Sequence, residues 1–140
     1  MAAIPPSVKI TKLEAPSECP INTRKPIRVW IHNYSRLFPP RTEFRPILYY
    51  YNPKYEQWYP EGYGDVASGI PYCSSAAWEF GAYRTTEETV TYKIEAQCRN
   101  TSAGVTNWIT TDTRTFTVKY IKEVPPPPRP WWWPPWIPWP

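Results

Sequence analysis

Histidine and methionine each occur once in these 140 residues, cysteine three times and glycine five times. The lone His32 sits on the outward side of a predicted strand with no nucleophile motif beside it, which removes the basis for a Ser–His–Asp triad. Cys19, Cys73 and Cys98 lack the paired spacing of a zinc site, so no metal or cofactor is expected. Glu61-Gly62-Tyr63-Gly64-Asp65 carries two of the few glycines, but it lacks the strand-to-helix setting of a phosphate loop. There is no purely apolar run of about 18 residues to cross a bilayer as a helix. The opening MAAIPPSVKI has no basic segment followed by an apolar stretch, so no signal peptide is read there. A carboxylate pair drawn from Glu61, Asp65 and Glu79 is the one catalytic arrangement left open. The chain is read as non-enzymatic.

What is abundant points to strands. Apolar residues make up 41% and aromatics 17% of the chain, enough for a packed core. Val8 and Ile10 alternate with Lys9 and Thr11. Ile27, Val29 and Ile31 alternate with Arg28, Trp30 and His32. Val90, Tyr92, Ile94, Ala96 and Cys98 alternate with Thr91, Lys93, Glu95 and Gln97. This period of two marks strands with one buried face. Further strands are read at 43–51, 55–59, 75–83 and 105–122, the last with a bulge near 110–113 and with Phe116, Val118 and Tyr120 inward. Pro46 predicts an edge or a bulge in its strand. Residues 15–26 and 60–74 are read as turn and loop.

The order and lengths of these strands over residues 7–122 resemble an immunoglobulin-like or fibronectin type III-like domain. The expected fold is all-β, a seven-stranded immunoglobulin-like sandwich spanning 1–124, with an extended Pro/Trp-rich arm over 125–140. Two details carry the likeness: Asn33 follows the strand IRVWIHN, and Tyr92 opens the sixth strand, where such folds often place a corner tyrosine. The second strand has no cysteine, so the inter-sheet bridge of antibody domains is not expected. Alternating strand directions bring Cys73 and Cys98 to one end and Cys19 to the other. In an oxidising setting the expected disulfide is Cys73–Cys98; in a reducing one all three are thiols.

Aromatic residues crowd one segment, with Tyr49, Tyr50, Tyr51, Tyr55, Trp58, Tyr59, Tyr63 and Tyr72 close in sequence. Consecutive tyrosines cannot all face inward from a strand. Tyr49, Tyr51, Tyr55, Trp58 and Tyr59 are therefore candidates for a protein-contact or sugar-stacking surface. Arg24, Lys25, Arg28, Arg36, Arg41 and Arg45 face one acid, Glu43, between residues 22 and 46, although the whole chain is only +4. That stretch is either a solvated strand face or a patch for an acidic partner. Asn33-Tyr34-Ser35 and Asn100-Thr101-Ser102 match the glycosylation pattern and are read as coincidence.

The last sixteen residues, PPPPRPWWWPPWIPWP, hold five of the nine tryptophans. Proline denies them helix and central strand, leaving polyproline II as the expected conformation. The tail resembles the Trp/Pro-rich antimicrobial peptides of the indolicidin and tritrpticin type, which implies membrane activity. It carries a single cation, Arg129, and so lacks their electrostatic half. A ligand for SH3 or WW domains would use the prolines and leave the indoles idle. The favoured reading is an assembly arm that lays Trp131, Trp132, Trp133, Trp136, Ile137 and Trp139, with Arg129, into a neighbouring subunit.

The chain is thus expected to be a structural or attachment module docking onto a larger protein assembly, of the virion decoration or tail accessory type. Its expected place is a virion or extracellular surface, and its state oligomeric or assembled. A glycan- or cell-surface-binding module using the tyrosine-rich face is the alternative. Membrane contact ranks below these, and nucleic acid is not the expected partner.

Overall fold

Alternating apolar and polar residues leave the chain little choice but strands, and β-strand is the only regular structure among the described residues. The computed structural model describes residues 8–34, 42–71, 73–100, 107–122 and 129–138. The strands are β1 (Val8–Glu14), β2 (Glu18–Pro20), β3 (Lys25–Asn33), β4 (Thr42–Asn52), β5 (Gln57–Tyr63), β6 (Ala67–Ser68), β7 (Ser74–Ala82), β8 (Glu88–Asn100) and β9 (Ile109–Ile121). One sheet is three-stranded, in the order β1-β3-β7. The other is six-stranded, in the order β2-β9-β8-β4-β5, with β6 also on β4.

This is the expected two-layer sandwich, with nine strands among the described residues in place of seven. Both additions are short. After β1 the chain crosses to the other sheet, where Glu18, Cys19 and Pro20 pair in parallel with Lys119, Tyr120 and Ile121. The prolines around this crossing masked it as a turn. Pro20 is tolerated because β2 is an edge strand. β6 lies inside the segment read as loop.

The inward sets are those the alternation marks. Val8, Ile10, Ile27, Val29 and Ile31 of one sheet meet Phe44, Leu48, Val90, Tyr92, Ile94, Ala96, Cys98, Val118 and Tyr120 of the other in one buried cluster. Phe116 packs partly buried against it. The register of β8 against β9 slips between Ala96↔Asp112 and Gln97↔Thr110, so Thr111 is the extra residue of a bulge, inside the expected stretch. Pro46 is not on an edge. It pairs with Ala96 on one side, and on the other it faces the gap where β5 ends at Tyr63 and β6 begins at Ala67. The Gly64 N–H reaches across this gap to the Pro46 carbonyl at 2.8 Å. A Cβ at Gly64 would lie 2.5 Å from Pro46 Cδ, so glycine is required there by close approach.

The Cys73–Cys98 disulfide expected for an oxidising setting is absent: both residues, like Cys19, are free thiols. Cys98 is buried in the core, where burial pushes its thiol up to about 11. Cys73 is exposed in a left-handed turn at φ 59. One sulfur faces inward and the other outward. Cys19 does lie at the far end from Cys98: its neighbour Tyr120 pairs with Glu88, whereas Cys98 pairs with Ile109. The first glycosylation pattern is closed to modification, because Asn33 is 1% exposed and its amide donates to the Ile70 carbonyl at 2.8 Å. Thr101 and Ser102 of the second lie outside the described residues.

Candidate functional site

Along residues 129–138 the arm departs from an extended polyproline II rod. Trp133 N–H bonds the Pro130 carbonyl at 3.0 Å and Ile137 N–H bonds the Pro134 carbonyl at 3.1 Å, giving two successive turns. Proline fixes φ at a value that suits the second turn position, which Pro135 occupies. Arg129 draws the turns together, donating to the carbonyls of Trp133 and Pro134. Trp133 Nε1 closes on the Ile137 carbonyl at 2.8 Å. These bonds fold the segment on itself and leave most of its rings outside. Trp131 is 95% exposed, Trp136 79% and Trp132 62%. Ile137 is also exposed, Trp133 is half-buried, and Trp139 lies outside the described residues.

The tyrosine-rich segment divides between two faces. Tyr51 pairs with Trp58 and Tyr50 with Tyr59 across the β4–β5 hairpin, so neighbours point oppositely. Tyr49, Tyr51 and Trp58 stand on the outer face of the six-stranded sheet, with Tyr51 and Trp58 centroids 5.2 Å apart. Tyr59 does not join them. It stacks on Tyr50 at 5.8 Å on the inner side, where Tyr50 packs against the core. Tyr55 is exposed in the connecting turn, and Tyr72 lies outside the described residues. The outer face also gathers Arg45 from the basic stretch, Tyr63 from the aromatic run and Lys93 from the outward side of β8, and adds Arg99 and Trp108, which the sequence did not single out. Lys93 Nζ lies 5.1 Å from the Tyr49 ring and 4.8 Å from the Trp58 ring. The Trp108 ring takes Arg45 at 4.1 Å and Arg99 at 4.5 Å. Trp108 lies outside the aromatic run in sequence, and only the turn into β9 brings it to this face.

The basic stretch is not one patch. Arg28 is on the three-stranded sheet, ion-paired to Glu79 at 3.1 Å, while Arg45 is on the opposite sheet; Arg36 and Arg41 lie outside the described residues. Of the candidate carboxylates, Glu61 and Glu79 do not converge either, since Glu79 is the partner of Arg28 on the three-stranded sheet. Glu61 is the extra residue of a bulge between Leu48↔Gly62 and Tyr49↔Pro60, which turns it towards Arg84 at 2.5 Å. Arg84 lies over the rings of Tyr50, Tyr92 and Tyr120 at 5.5, 5.7 and 5.8 Å. Tyr92, the corner-tyrosine candidate, shares a 2.6 Å hydrogen bond with the Tyr120 hydroxyl. Burial raises the Glu61 carboxyl above its ordinary value, with Arg84 pulling it back. His32 Nδ1 lies 2.6 Å from Ser75 Oγ, a cross-strand contact that the sequence did not reveal. Among the described residues no carboxylate pairs with that imidazole, so the contact lacks the orienting acid of a triad.

No protein-family model and no curated protein matches the chain. Among solved structures it is similar to the CARDB domain of the PF1109 protein from Pyrococcus furiosus, a complex with di-metal ions, with TM-score 0.54 and 15% identity over 87% of this chain and 100% of that one. A superoxide reductase (neelaredoxin) from Ignicoccus hospitalis gives TM-score 0.48 at 14% identity, over 79% of this chain and 78% of that one. The ASH/PapD-like domain 7 of human CEP192 gives 0.44 at 8%, over 89% and 92%. Among the described residues no group of three or more His, Cys, Asp or Glu could hold a metal ion. The first likeness bears on architecture alone, and with the strand order above it makes the fold an immunoglobulin-like β-sandwich.

Proposed function

We propose that the chain is an attachment module whose Pro/Trp arm docks on a neighbouring protein subunit of a larger assembly. The observation that carries this reading is the exposure of Trp131, Trp132 and Trp136 at 95%, 62% and 79%. Rings this large, left outside by a segment folded into two hydrogen-bonded turns, are what interface hot spots are made of. Each indole buries on the order of 150–250 Å² when covered. The prolines and the Arg129 bonds have already restricted the segment, so ordering it on a partner costs little further entropy. One arginine is too little charge to hold a peptide on an anionic bilayer, which favours protein over lipid.

The test replaces Trp131, Trp132 and Trp136 together by alanine in the full chain. Their exposure predicts an unchanged fold. The variant should be lost from the native assembly that retains the unaltered chain, as read by co-sedimentation. Retention of the triple variant at the unaltered level would overturn the proposal.

A further inference from the structure

The outer face of the six-stranded sheet is built as a platform. On β4 it presents Glu43, Arg45, Ile47, Tyr49 and Tyr51; on β8 it presents Arg99, Gln97, Glu95 and Lys93 directly opposite the first four. Ile47 lies outside the inter-sheet cluster, yet it is only 2% exposed. The side chains around it therefore close over the sheet as a packed layer.

That layer has two ends. At one, the guanidiniums of Arg45 and Arg99 share the Trp108 ring, with Tyr63 under Arg45 at 5.6 Å. Glu43 answers Arg99 at 3.2 Å. Among the described residues Arg45 bonds only the neutral Gln97 Oε1, at 3.1 Å, and has no carboxylate. Arg99 Nε is buried without a hydrogen-bond partner among the described residues. Two like charges on one ring, with a single carboxylate between them, repel each other. Burial and the neighbouring Arg99 both depress the Arg45 pKa. At the other end, Tyr49, Tyr51 and Trp58 form an aromatic shelf around Lys93, which Glu95 partners at 3.6 Å. Four residues of strand separate Arg45 from Tyr49, roughly 13 Å, the span of a short oligosaccharide.

We propose that this face binds an acidic oligosaccharide, with its carboxylate or sulfate held between Arg45 and Arg99 and its sugar rings laid across Trp58, Tyr49 and Tyr51. Guanidinium forks suit such oxyanions. Aromatic rings give the flat apolar contact that a sugar face needs, and Glu43, Glu95 and Gln97 offer acceptors for hydroxyls. The same carboxylates disfavour nucleic acid. Three cations against two acids leave a single net positive charge, whereas a phosphate backbone draws a run of unopposed cations. This site is independent of the Pro/Trp arm.

Titration calorimetry of the full chain tests it with a heparin octasaccharide, a hyaluronan octasaccharide, a neutral cello-oligosaccharide and an eight-base single-stranded DNA. At least one acidic glycan should bind, more weakly as salt rises, and the neutral one should bind at least about tenfold more weakly. Arg45→Gln should weaken the acidic glycan about tenfold, with Arg45→Lys intermediate because it keeps the charge and loses the fork. Trp58→Ala should weaken it as well, while the triple alanine variant of the arm should bind unchanged. Failure of both acidic glycans, equal affinity for the neutral one, binding indifferent to Arg45→Gln, or DNA binding as tight as the glycan's would each overturn the proposal.

Discussion

Asp112 and Ile10 belong to different sheets, and the Asp112 carboxylate accepts the Ile10 backbone N–H at 2.8 Å. Arg114, two residues further along β9, donates to the Ile10 carbonyl at 3.0 Å. β1 is an edge strand, and its register against β3 shifts between Ile10 and Lys12. The backbone groups that Ile10 would offer to another chain are therefore occupied by side chains of β9. An open edge invites pairing with other strands; here the bulge and two side chains close it, and they tie the layers together at one flank.

Asp112→Ala should lower stability by about 1–2 kcal/mol, the usual worth of a charge-assisted bond to a partly buried amide. Urea unfolding followed by circular dichroism measures it. An unchanged midpoint at unchanged slope would show that the clasp contributes nothing.

Glu61 and Arg84 set a pH dependence. Burial raises the Glu61 carboxyl above its ordinary 4.5, so the folded state holds that proton more tightly than the unfolded chain. The contribution favours folding in full below pH 4.5 and fades as pH rises through the raised folded value. Glu61→Gln should flatten stability against pH in that window. Arg84→Met strands the carboxylate. A fully buried pair broken this way costs about 3–5 kcal/mol. The Arg84 and Glu61 side chains keep 22% and 20% exposure, which brings the expectation to about 2 kcal/mol at pH 7. The loss should shrink at pH 4, where Glu61 is protonated. A larger loss at pH 4 than at pH 7 would contradict this account.

The core was legible because β8 and β3 alternate without interruption, and a period of two admits one buried face. The six-stranded outer face was not. Tyr59 was grouped with Tyr51 by proximity, whereas pairing across the hairpin sends Tyr59 inward with Tyr50. Arg45, Lys93, Arg99 and Trp108 come from three separate stretches, and only strand register joins them. Glu61 read as a candidate partner for Asp65 or Glu79, since the bulge that turns it inward to Arg84 leaves no mark in composition. β2 was hidden by its prolines, which an edge strand tolerates.

Cysteine reactivity should follow burial. In the native chain Cys73 should react promptly with a thiol reagent, while Cys19 and Cys98 react only on unfolding. Cys19 is held by bonds from its thiol to the carbonyls of Thr23 and Ala82, at 3.2 and 3.9 Å. A Cys73–Cys98 peptide recovered by mass spectrometry from the native protein would contradict the free thiols.

Attachment through the arm is tested most directly by a photo-crosslinking amino acid in place of Trp132, irradiated in the native assembly. The account predicts a covalent adduct with a neighbouring protein subunit, abolished when Trp131 and Trp136 are also replaced by alanine. Adducts with lipid alone, or none above the level of the same probe at exposed Tyr55, would contradict it.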